Sequence, residues 1–455
     1  MSSKVGLISL GCPKNLVDSE YMLGRLVKEG YPVTYVLEEA DTIIVNTCAF
    51  IESAQQEAID TILEIIEKSV HSATGVSSSG VSGGGDKKFI VAGCLVSLFG
   101  EELLDKIPQI NALIDPFNID RIVDAVKELQ RGRDYILYLG ERSSIDKSFF
   151  ERCITHSPHS VYLKIADGCN NCCSYCIIPK LRGPYRSRRM EDIIEETELL
   201  AQAGCKEINI VAQDTTLYGT DIYGEEKLSE LLDRLAQIKE IRWIRVLYTH
   251  PAHYTDKLIE TVAANEKICK YLDLPLQHSN DRILQLMGRN VRKKDIMNLI
   301  NKLRRKIPNL TLRTTLLVGF PTEGTEEFCE LLDFVKAVEF DHLGVFSYSL
   351  QENTRSINLK GHLPERIKEK RRRELLSLQK SILEKKNRRF RGEEVTVLID
   401  KKIGSNLYEA RTKADAPEVD NVVYARGNAE VGGFYKVKIT KTGAFEFEGN
   451  IIEKW

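Results

Sequence analysis

The chain has 455 residues, of which 42% are hydrophobic and 29% are charged, so it is long enough for two or three domains with real cores. Its formal net charge of −2 excludes a general electrostatic attraction to nucleic acid or to an acidic membrane surface. Because the sequence shows no secretory signal and no apolar run of bilayer length, we expect a cytoplasmic protein whose 11 cysteines act as ligands rather than as disulfides.

Residues 1 to about 140 alternate between strand-like apolar runs and helix-like segments. The runs are VGLISLG, YPVTYV, TIIVNTC and FIVAGC, and a long helix is predicted over residues 53–67. Apolar strands that are buried on both faces and joined by helices indicate a doubly wound parallel sheet. Residues 70–86 are rich in Ser and Gly, which predicts a flexible insertion.

Three cysteines of this first part, Cys12, Cys48 and Cys94, each follow one of the strand-like runs. The carboxyl ends of the strands are where open α/β sheets bind ligands, so the three thiols should converge at one edge. This placement favours a three-thiolate iron–sulfur site. The alternative is that one of the three is an ordinary buried cysteine.

Residues 161–349 repeat a strand-then-helix rhythm six times. The strand-like runs are YLKIAD, EINIVAQD, WIRVLYTH, YLDLPLQH, LRTTLLVGF and LGVFSYS. Six such units predict an incomplete (β/α)6 barrel, with chemistry expected at the carboxyl ends of its strands.

Directly after the first of these runs, Cys169, Cys173 and Cys176 have the spacing Cys-x3-Cys-x2-Cys. Three thiolates can hold three irons of a 4Fe-4S cluster and leave the fourth iron open for a substrate. A zinc site is the alternative, but zinc sites usually pair a Cys-x2-Cys with a second pair at matching spacing, and the sequence offers no such pair. Cys172 lies inside the motif and does not fit its spacing.

The C-terminal part begins with a basic segment, residues 365–391, that is predicted to be one long helix. Residues 392–455 contain short strands and Gly turns typical of a small β-barrel of the oligonucleotide-binding type. This barrel carries nine Lys and Arg against eleven Asp and Glu, which gives no strong nucleic-acid signal. Its acidic stretch from Asp415 to Asp420 suits a basic protein partner by charge complementarity.

Together these features resemble the radical S-adenosylmethionine (radical SAM) methylthiotransferase family over essentially the whole chain. The GCPKNLVDSE run at residues 11–20 is similar to the RimO-type, ribosomal-protein branch, and further matches are YLKIADGCNNCCSYCIIP, RGPYRSR, VAQDTTLYG, DLPLQHSNDRILQLMGR and VGFP. The resemblance implies three domains: a methylthiotransferase domain (1–140), a radical SAM core (155–385) and a TRAM domain (388–455).

The resemblance implies an enzyme that replaces a hydrogen on the β-carbon of an aspartate in small-subunit ribosomal protein S twelve with a methylthio group. It implies two 4Fe-4S clusters, one on Cys169, Cys173 and Cys176 and one on the earlier cysteine set, together with S-adenosyl-L-methionine (SAM). A radical route is physically sensible because a methylene hydrogen beside a carboxylate is too weakly acidic for base chemistry. The implied partners are the ribosomal protein, free or in its subunit, and a reducing protein such as a flavodoxin or ferredoxin.

Further residues are expected to orient SAM or to line its cavity. Gln213 and Asp214 end a strand and could hydrogen-bond SAM, but Asp214 is equally suited to capping the following helix. Four others are expected near SAM by their positions at strand ends or beside the cysteine motif: Pro275, Gln277, Gly319 and Arg182. Arg182 could place SAM or the substrate carboxylate by bidentate contacts, and the alternative is a solvated basic loop.

Two other functions stay open at this stage. A tRNA-adenosine methylthiotransferase would share both clusters, and the basic segment 365–391 could contact RNA. A non-catalytic iron–sulfur carrier or RNA-binding protein is the alternative of another class.

Overall fold

The computed structural model describes residues 3–74, 87–140 and 152–455. In the first part of the described chain, five parallel strands lie side by side in the order β1 (Val5–Ser9), β2 (Thr42–Thr47), β3 (Lys88–Gly93), β4 (Ile110–Ile114) and β5 (Ile136–Tyr138). Strand β2 is buried at every position, which explains its nearly unbroken apolar run.

On its other edge, β1 pairs with Val33 through a single parallel bridge. This bridge is all that forms of the predicted strand YPVTYV. The chain therefore crosses first to one side of β1 and then to β2 on its other side. This order makes the sheet doubly wound, as predicted, and places its topological switch point between β1 and β2.

Helices cover both faces of this sheet. Helices α1 (Pro13–Lys28) and α5 (Ile122–Gln130) pack against each other on one face. Helices α2 (Glu52–Thr74), α3 (Cys94–Phe99) and α4 (Glu102–Lys106) cover the opposite face. Because α2 extends to Thr74, the predicted insertion is helical at its start, and residues 75–86 lie outside the described residues.

The middle of the chain forms a second parallel sheet whose strands follow chain order without closing into a ring. In the described residues these strands are β6 (Ser160–Lys164), β9 (Glu207–Val211), β10 (Trp243–Val246), β11 (Ile268–Asp273), β12 (Thr311–Val318) and β13 (His342–Ser347). Two short strands, β7 (Ala166–Asp167) and β8 (Arg186–Ser187), pair beside the end of β6. The predicted incomplete barrel is confirmed.

The convex side of this sheet is covered by helices that share one large apolar core with it. They are α7 (Met190–Gln202), α8 (Leu228–Ala236), α9 (Asp256–Ala264), α11 (Lys293–Lys306), α12 (Thr325–Val338) and α13 (Glu365–Asn387). Two short helices, α6 (Ile178–Arg182) and α10 (Asp281–Leu286), lie in the loops that follow strands.

Helix α13 is the predicted basic helix. It buries Leu375, Ile382 and Leu383, and many of its charges pair along the helix, as in Arg372 with Glu369. It is therefore the last helix of the barrel layer, with the solvated, Glu-paired face that is common for such charge runs. None of the described helices is both long and apolar enough to cross a membrane.

The C-terminal part closes into a small barrel, as predicted. Its strand order is β14 (Glu394–Gly404), β15 (Leu407–Thr412), β16 (Val422–Arg426), β18 (Glu446–Lys454) and β17 (Phe434–Thr442), which returns to β14. Such closure leaves no free sheet edge.

The concave face of the six-stranded sheet is covered by parts of the chain that are distant in sequence. Val17 and Tyr21 of α1, together with Phe434 of the small barrel, pack in one cluster with Trp243 and Tyr271 of the sheet. The rings of Trp243 and Phe434 lie 4.8 Å apart, edge to face. The N-terminal helix and the C-terminal barrel thus both close this face from solvent.

The acidic segment of the small barrel faces inward, which contradicts its predicted use as a docking surface for a basic protein. The side chains of Asp415 and Asp420 are 6% and 2% exposed and lie within 3.6 Å of His342, while Asp420 also pairs with Arg313. Both carboxylates therefore contact side chains of the six-stranded sheet.

Candidate functional site

The motif formed by Cys169, Cys173 and Cys176 lies in the loop after β7, at the carboxyl end of the strands of the six-stranded sheet. Gly168 has a φ of +79°, and a Cβ there would lie 2.1 Å from the carbonyl oxygen of Pro184, so only glycine lets the loop fold this closely. The pKa of Cys169 is raised to about 11 and that of Cys176 to about 12, chiefly by burial, and the neighbouring Cys173 contributes to both shifts. These effects indicate that the three thiols lie close together.

Cys172 differs from these three thiols. It is exposed, and its Sγ contacts the carbonyl oxygen of Asn170 at 3.6 Å. Its own carbonyl oxygen accepts a hydrogen bond from Arg355, which fixes the backbone between the motif positions.

Neighbouring side chains hold this loop against the barrel. The backbone N–H of Asn171 donates to Cys169 Sγ at 3.4 Å, and its side-chain amide donates to Asp214 Oδ2 at 2.8 Å. From the other side, buried Arg289 approaches Cys173 Sγ at 3.8 Å and donates to the carbonyl of Pro275. Donors therefore face the sulfur atoms, as expected where thiolates carry negative charge.

Gln213 and Asp214, both predicted to contact SAM, end the segment after β9. Asp214 caps the short 3-10 turn that follows by accepting from the N–H of Thr216 at 3.1 Å, so the structure shows the capping role. Its other oxygen lies 2.9 Å from Nδ1 of His253. Gln213 donates its amide to Asp167 at 2.8 Å, whereas its buried amide oxygen has no partner among the described residues.

The other predicted cavity positions are held mainly by backbone contacts. Gln277 has a φ of +72° and bridges to Leu316 of β12, so the segment after β11 stays paired with β12. The N–H of Gly319 donates to Glu323 at 2.8 Å. His278 is fully buried, accepts a hydrogen bond from Asn280 N–H, and has its pKa lowered to about 3 by burial, which suits a structural histidine.

The second cysteine set lies at the carboxyl edge of the N-terminal sheet. Cys12 follows β1, Cys48 follows β2 and Cys94 begins α3 directly after β3. Gly11 has a φ of +92°, and a Cβ there would lie 2.5 Å from Cys48 Cβ, so the first two cysteine turns are in close contact. This is the switch-point edge at which doubly wound sheets bind ligands.

The thiols of this set also act on one another. The pKa of Cys94 is raised to about 12 overall: burial raises it most, the Arg182 guanidinium lowers it, and Cys48 and Cys12 raise it. The pKa of Cys48 is raised by burial and then by Cys12. Both three-thiol sets offer soft sulfur donors that are buried or half-buried, and this donor chemistry fits an iron–sulfur cluster.

Arg182 joins the two parts of the chain. Its Nε lies 3.3 Å from Cys94 Sγ, and its Nη atoms donate to Asn15 and Asp18 of α1 and to Asp167 of β7. Lys164 pairs with the same two carboxylates. All three nitrogens of the Arg182 guanidinium therefore contact protein atoms, which favours a role in joining the two sheets over contact with SAM or substrate.

Lys14 is a buried cation that the sequence reasoning did not single out. It is 7% exposed, and its Nζ lies 3.4 Å from the centroid of the Tyr248 ring. Burial lowers its pKa, and the charges nearest to it include those of Cys12, Arg182 and Asp273. The sequence signal that could have identified Lys14 is its position in the first turn of a helix, two residues after Cys12.

Comparison with known families matches three segments of the chain. Residues 163–335 match the Radical SAM superfamily, residues 4–115 match the uncharacterized protein family UPF0004, and residues 392–452 match the TRAM domain.

Full-length relatives decide the family. The chain is 44% identical over 454 residues to the ribosomal protein uS12 methylthiotransferase RimO of Clostridioides difficile, covering 99% of both chains. It is 43% identical to the protein of the same name from Pelotomaculum thermopropionicum, covering 99% of this chain and 100% of that one. The chain belongs to this methylthiotransferase family. The family resemblance predicted from the sequence motifs is thereby confirmed.

Membership defines the general chemistry of the methylthiotransferase. It is a radical SAM enzyme that transfers sulfur-containing groups, and its cofactors are 4Fe-4S clusters and SAM. Two solved structures share its fold at low identity. They are the radical SAM methyltransferase TsrM from Kitasatospora setae (TM-score 0.56, 14% identity, 78% of this chain and 74% of that one) and the cobalamin-dependent enzyme OxsB (TM-score 0.51, 14% identity, 73% and 52%).

Proposed function

We propose that this chain attaches a methylthio group to the β-carbon of an aspartate in ribosomal protein uS12. The relatives that match nearly its whole length are named for that substrate, and this supports uS12 over tRNA-adenosine as the target. The observation that carries the proposal is the pair of separate three-thiol sets, each at the carboxyl edge of its own sheet and joined through Arg182.

In this proposal Cys169, Cys173 and Cys176 hold the cluster that binds SAM, and the set that follows β1, β2 and β3 holds the second cluster. When bound, the two clusters and SAM supply the radical that removes the hydrogen, the sulfur and the methyl group. The protein supplies position and excludes water.

The residues around the two sets do this positioning. Arg182 contacts both Cys94 and Asp167, and Asp167 lies directly before the loop of Cys169. A buried ion-pair network therefore holds the two cysteine sets in position relative to each other. The orphaned amide oxygen of Gln213 is an acceptor available to an amino or hydroxyl group of SAM. The cover formed by α1 and the small barrel keeps water from the concave face of the sheet.

The domain boundaries, the electron donor and the cellular location are also proposed from the family resemblance. We divide the chain into a methylthiotransferase domain (1–140), a radical SAM core (155–385) and a TRAM domain (388–455). A reducing protein such as a flavodoxin or ferredoxin would supply the electrons that SAM cleavage consumes. Because ribosomal proteins are made and assembled in the cytoplasm, we place the enzyme there.

The test is mass spectrometry of ribosomal proteins from cells with and without this chain. We expect uS12 from cells that contain the chain to carry the mass of a methylthio group in place of one hydrogen, on an aspartate. A methylthio nucleoside in tRNA, with uS12 unchanged, would favour the tRNA enzyme instead. If the anaerobically reduced protein forms no 5'-deoxyadenosine from SAM, both enzymatic functions are wrong and the iron–sulfur carrier remains.

A further inference from the structure

Lys14 presents a buried positive charge between the second cysteine set and the mouth of the barrel. It lies two residues after Cys12, and its Nζ sits over the Tyr248 ring, just beyond the end of β10. Within residues 3–74, 87–140 and 152–455, this Nζ has no hydrogen-bond or ion-pair partner, although the side chain is more than nine-tenths buried. An ammonium on a side chain so largely withdrawn from water is stabilised when an anion reaches it.

The carboxylates nearest to Lys14 are already engaged elsewhere. Asp167 pairs with Lys164 and Arg182, and Asp273 accepts from the N–H of Tyr248 and approaches Arg313 at 3.5 Å. The charge of Lys14 is therefore available to a ligand that enters from outside.

The ring beneath Lys14 is held in an unusual backbone conformation. Tyr248 has a φ of +57°, which is strained for a residue with a side chain. Its N–H donates to Asp273 at 2.9 Å and its carbonyl accepts from the N–H of Thr215 at 2.9 Å, so contacts on both sides maintain the strain. The cation–π contact thus fixes Lys14 Nζ in one place before any ligand arrives.

We propose that Lys14 binds the side-chain carboxylate of the target aspartate and so places its β-carbon beside the second cysteine set. This inference rests on the proposed function, because that aspartate brings a carboxylate one bond from the carbon that reacts. SAM also has a carboxylate, but Lys14 adjoins Cys12, whereas SAM is proposed to bind at the Cys169 loop. Lys14 is accordingly a specificity-determining residue for an acidic side chain.

The experiment measures binding without turnover, on the full chain with both clusters reconstituted and no reductant present. The ligands are uS12, free and in the small ribosomal subunit, and the same protein with its modified aspartate changed to asparagine. A charge-assisted contact in a buried site gives roughly a 10- to 100-fold preference for the aspartate form. We expect that preference from the wild-type chain and from the control K28M, which changes an exposed lysine of the same helix.

In K14M the ratio of the two dissociation constants should fall close to one, with iron content and cluster spectra measured alongside. K14Q, neutral but polar, repeats the test if K14M does not fold. A preserved aspartate preference in a folded, cluster-loaded neutral variant would overturn the inference. A weakened affinity for SAM with the aspartate preference intact would overturn it too, by assigning Lys14 to the carboxylate of SAM. Failure of the wild-type chain to bind either form of uS12 would overturn the proposed function and this inference with it.

Discussion

Glu207 anchors the C-terminal barrel to the radical SAM core, and its removal is a quantitative test of how these two parts are joined. Its carboxylate is fully buried and accepts from Arg245 at 3.0 Å, from Arg411 at 2.7 Å and from Ser160 at 2.7 Å. Arg411 belongs to β15 of the small barrel and also pairs with Asp400. In the described residues, Arg245 has no second carboxylate partner.

The change Glu207→Gln leaves Arg245 as a buried cation without a counter-charge. Breaking one side of a buried ion pair costs about 3 to 5 kcal/mol. The pKa of Glu207 gives a similar figure: burial alone would raise it, but Arg411 and Arg245 lower it from 4.5 to about 2. A shift of that size corresponds to about 3 kcal/mol of stability at neutral pH.

The sign of the pH dependence follows from the lowered pKa. The stabilisation is fully present above about pH 5 and is lost as the pH falls through the folded-state pKa. The stability difference between wild type and E207Q should therefore shrink by about 1 kcal/mol between pH 7 and pH 4.

Hydrogen-exchange mass spectrometry of peptides from β9 and β15 measures the free energy of local opening. The matched control is E198Q, which removes an exposed carboxylate of α7 and should change this free energy by less than about 0.5 kcal/mol. If E207Q opens no more easily than E198Q at pH 7, the argument that this carboxylate joins the two parts is refuted.

Three further predictions concern the cysteine sets and the link between them. R182M should lower the free energy of unfolding by about 3 to 5 kcal/mol, measured by anaerobic denaturation, and R182K should recover only part because lysine cannot bridge several acceptors at once. Equal stability of R182M and wild type would contradict the network. G11A should reduce the iron bound per chain, since an added Cβ would overlap Cys48; full iron content in G11A would show that this approach is not needed. C172A should retain the full iron content and form 5'-deoxyadenosine, while C173A should lose the iron of one cluster and form no 5'-deoxyadenosine, and iron loss in C172A would show that the exposed thiol is a ligand.

Much of the architecture follows from local sequence patterns. The apolar runs before Cys12, Cys48 and Cys94 form buried or half-buried strands, and the cysteines then fall at one edge of a parallel sheet. Periodic sequence patterns likewise predict the six strand-and-helix units, the long helix α13 and the small closed barrel. The strand YPVTYV was overpredicted, because edge pairing with β1 is limited to Val33.

The side-chain network between domains has no such local signature. Arg182 was expected beside SAM or substrate from its closeness to the cysteine motif, yet its partners Asn15 and Asp18 come from a helix more than 160 residues earlier. The acidic segment containing Asp415 was expected to face a partner, and it pairs with the barrel sheet instead. Charge alone shows neither which side of a loop is buried nor which countercharge meets it.

The sequence by itself therefore determined the two cysteine sets, the order of the folding units and the family, because ligand spacing and strand and helix periods depend on near neighbours along the chain. Only the tertiary structure decided how the units face each other. It brought Lys14 of the first helix over Tyr248 of the barrel and directed Arg182 towards Cys94. These contacts join residues that are far apart in sequence, and packing of the two sheets, rather than any local preference, brings them together.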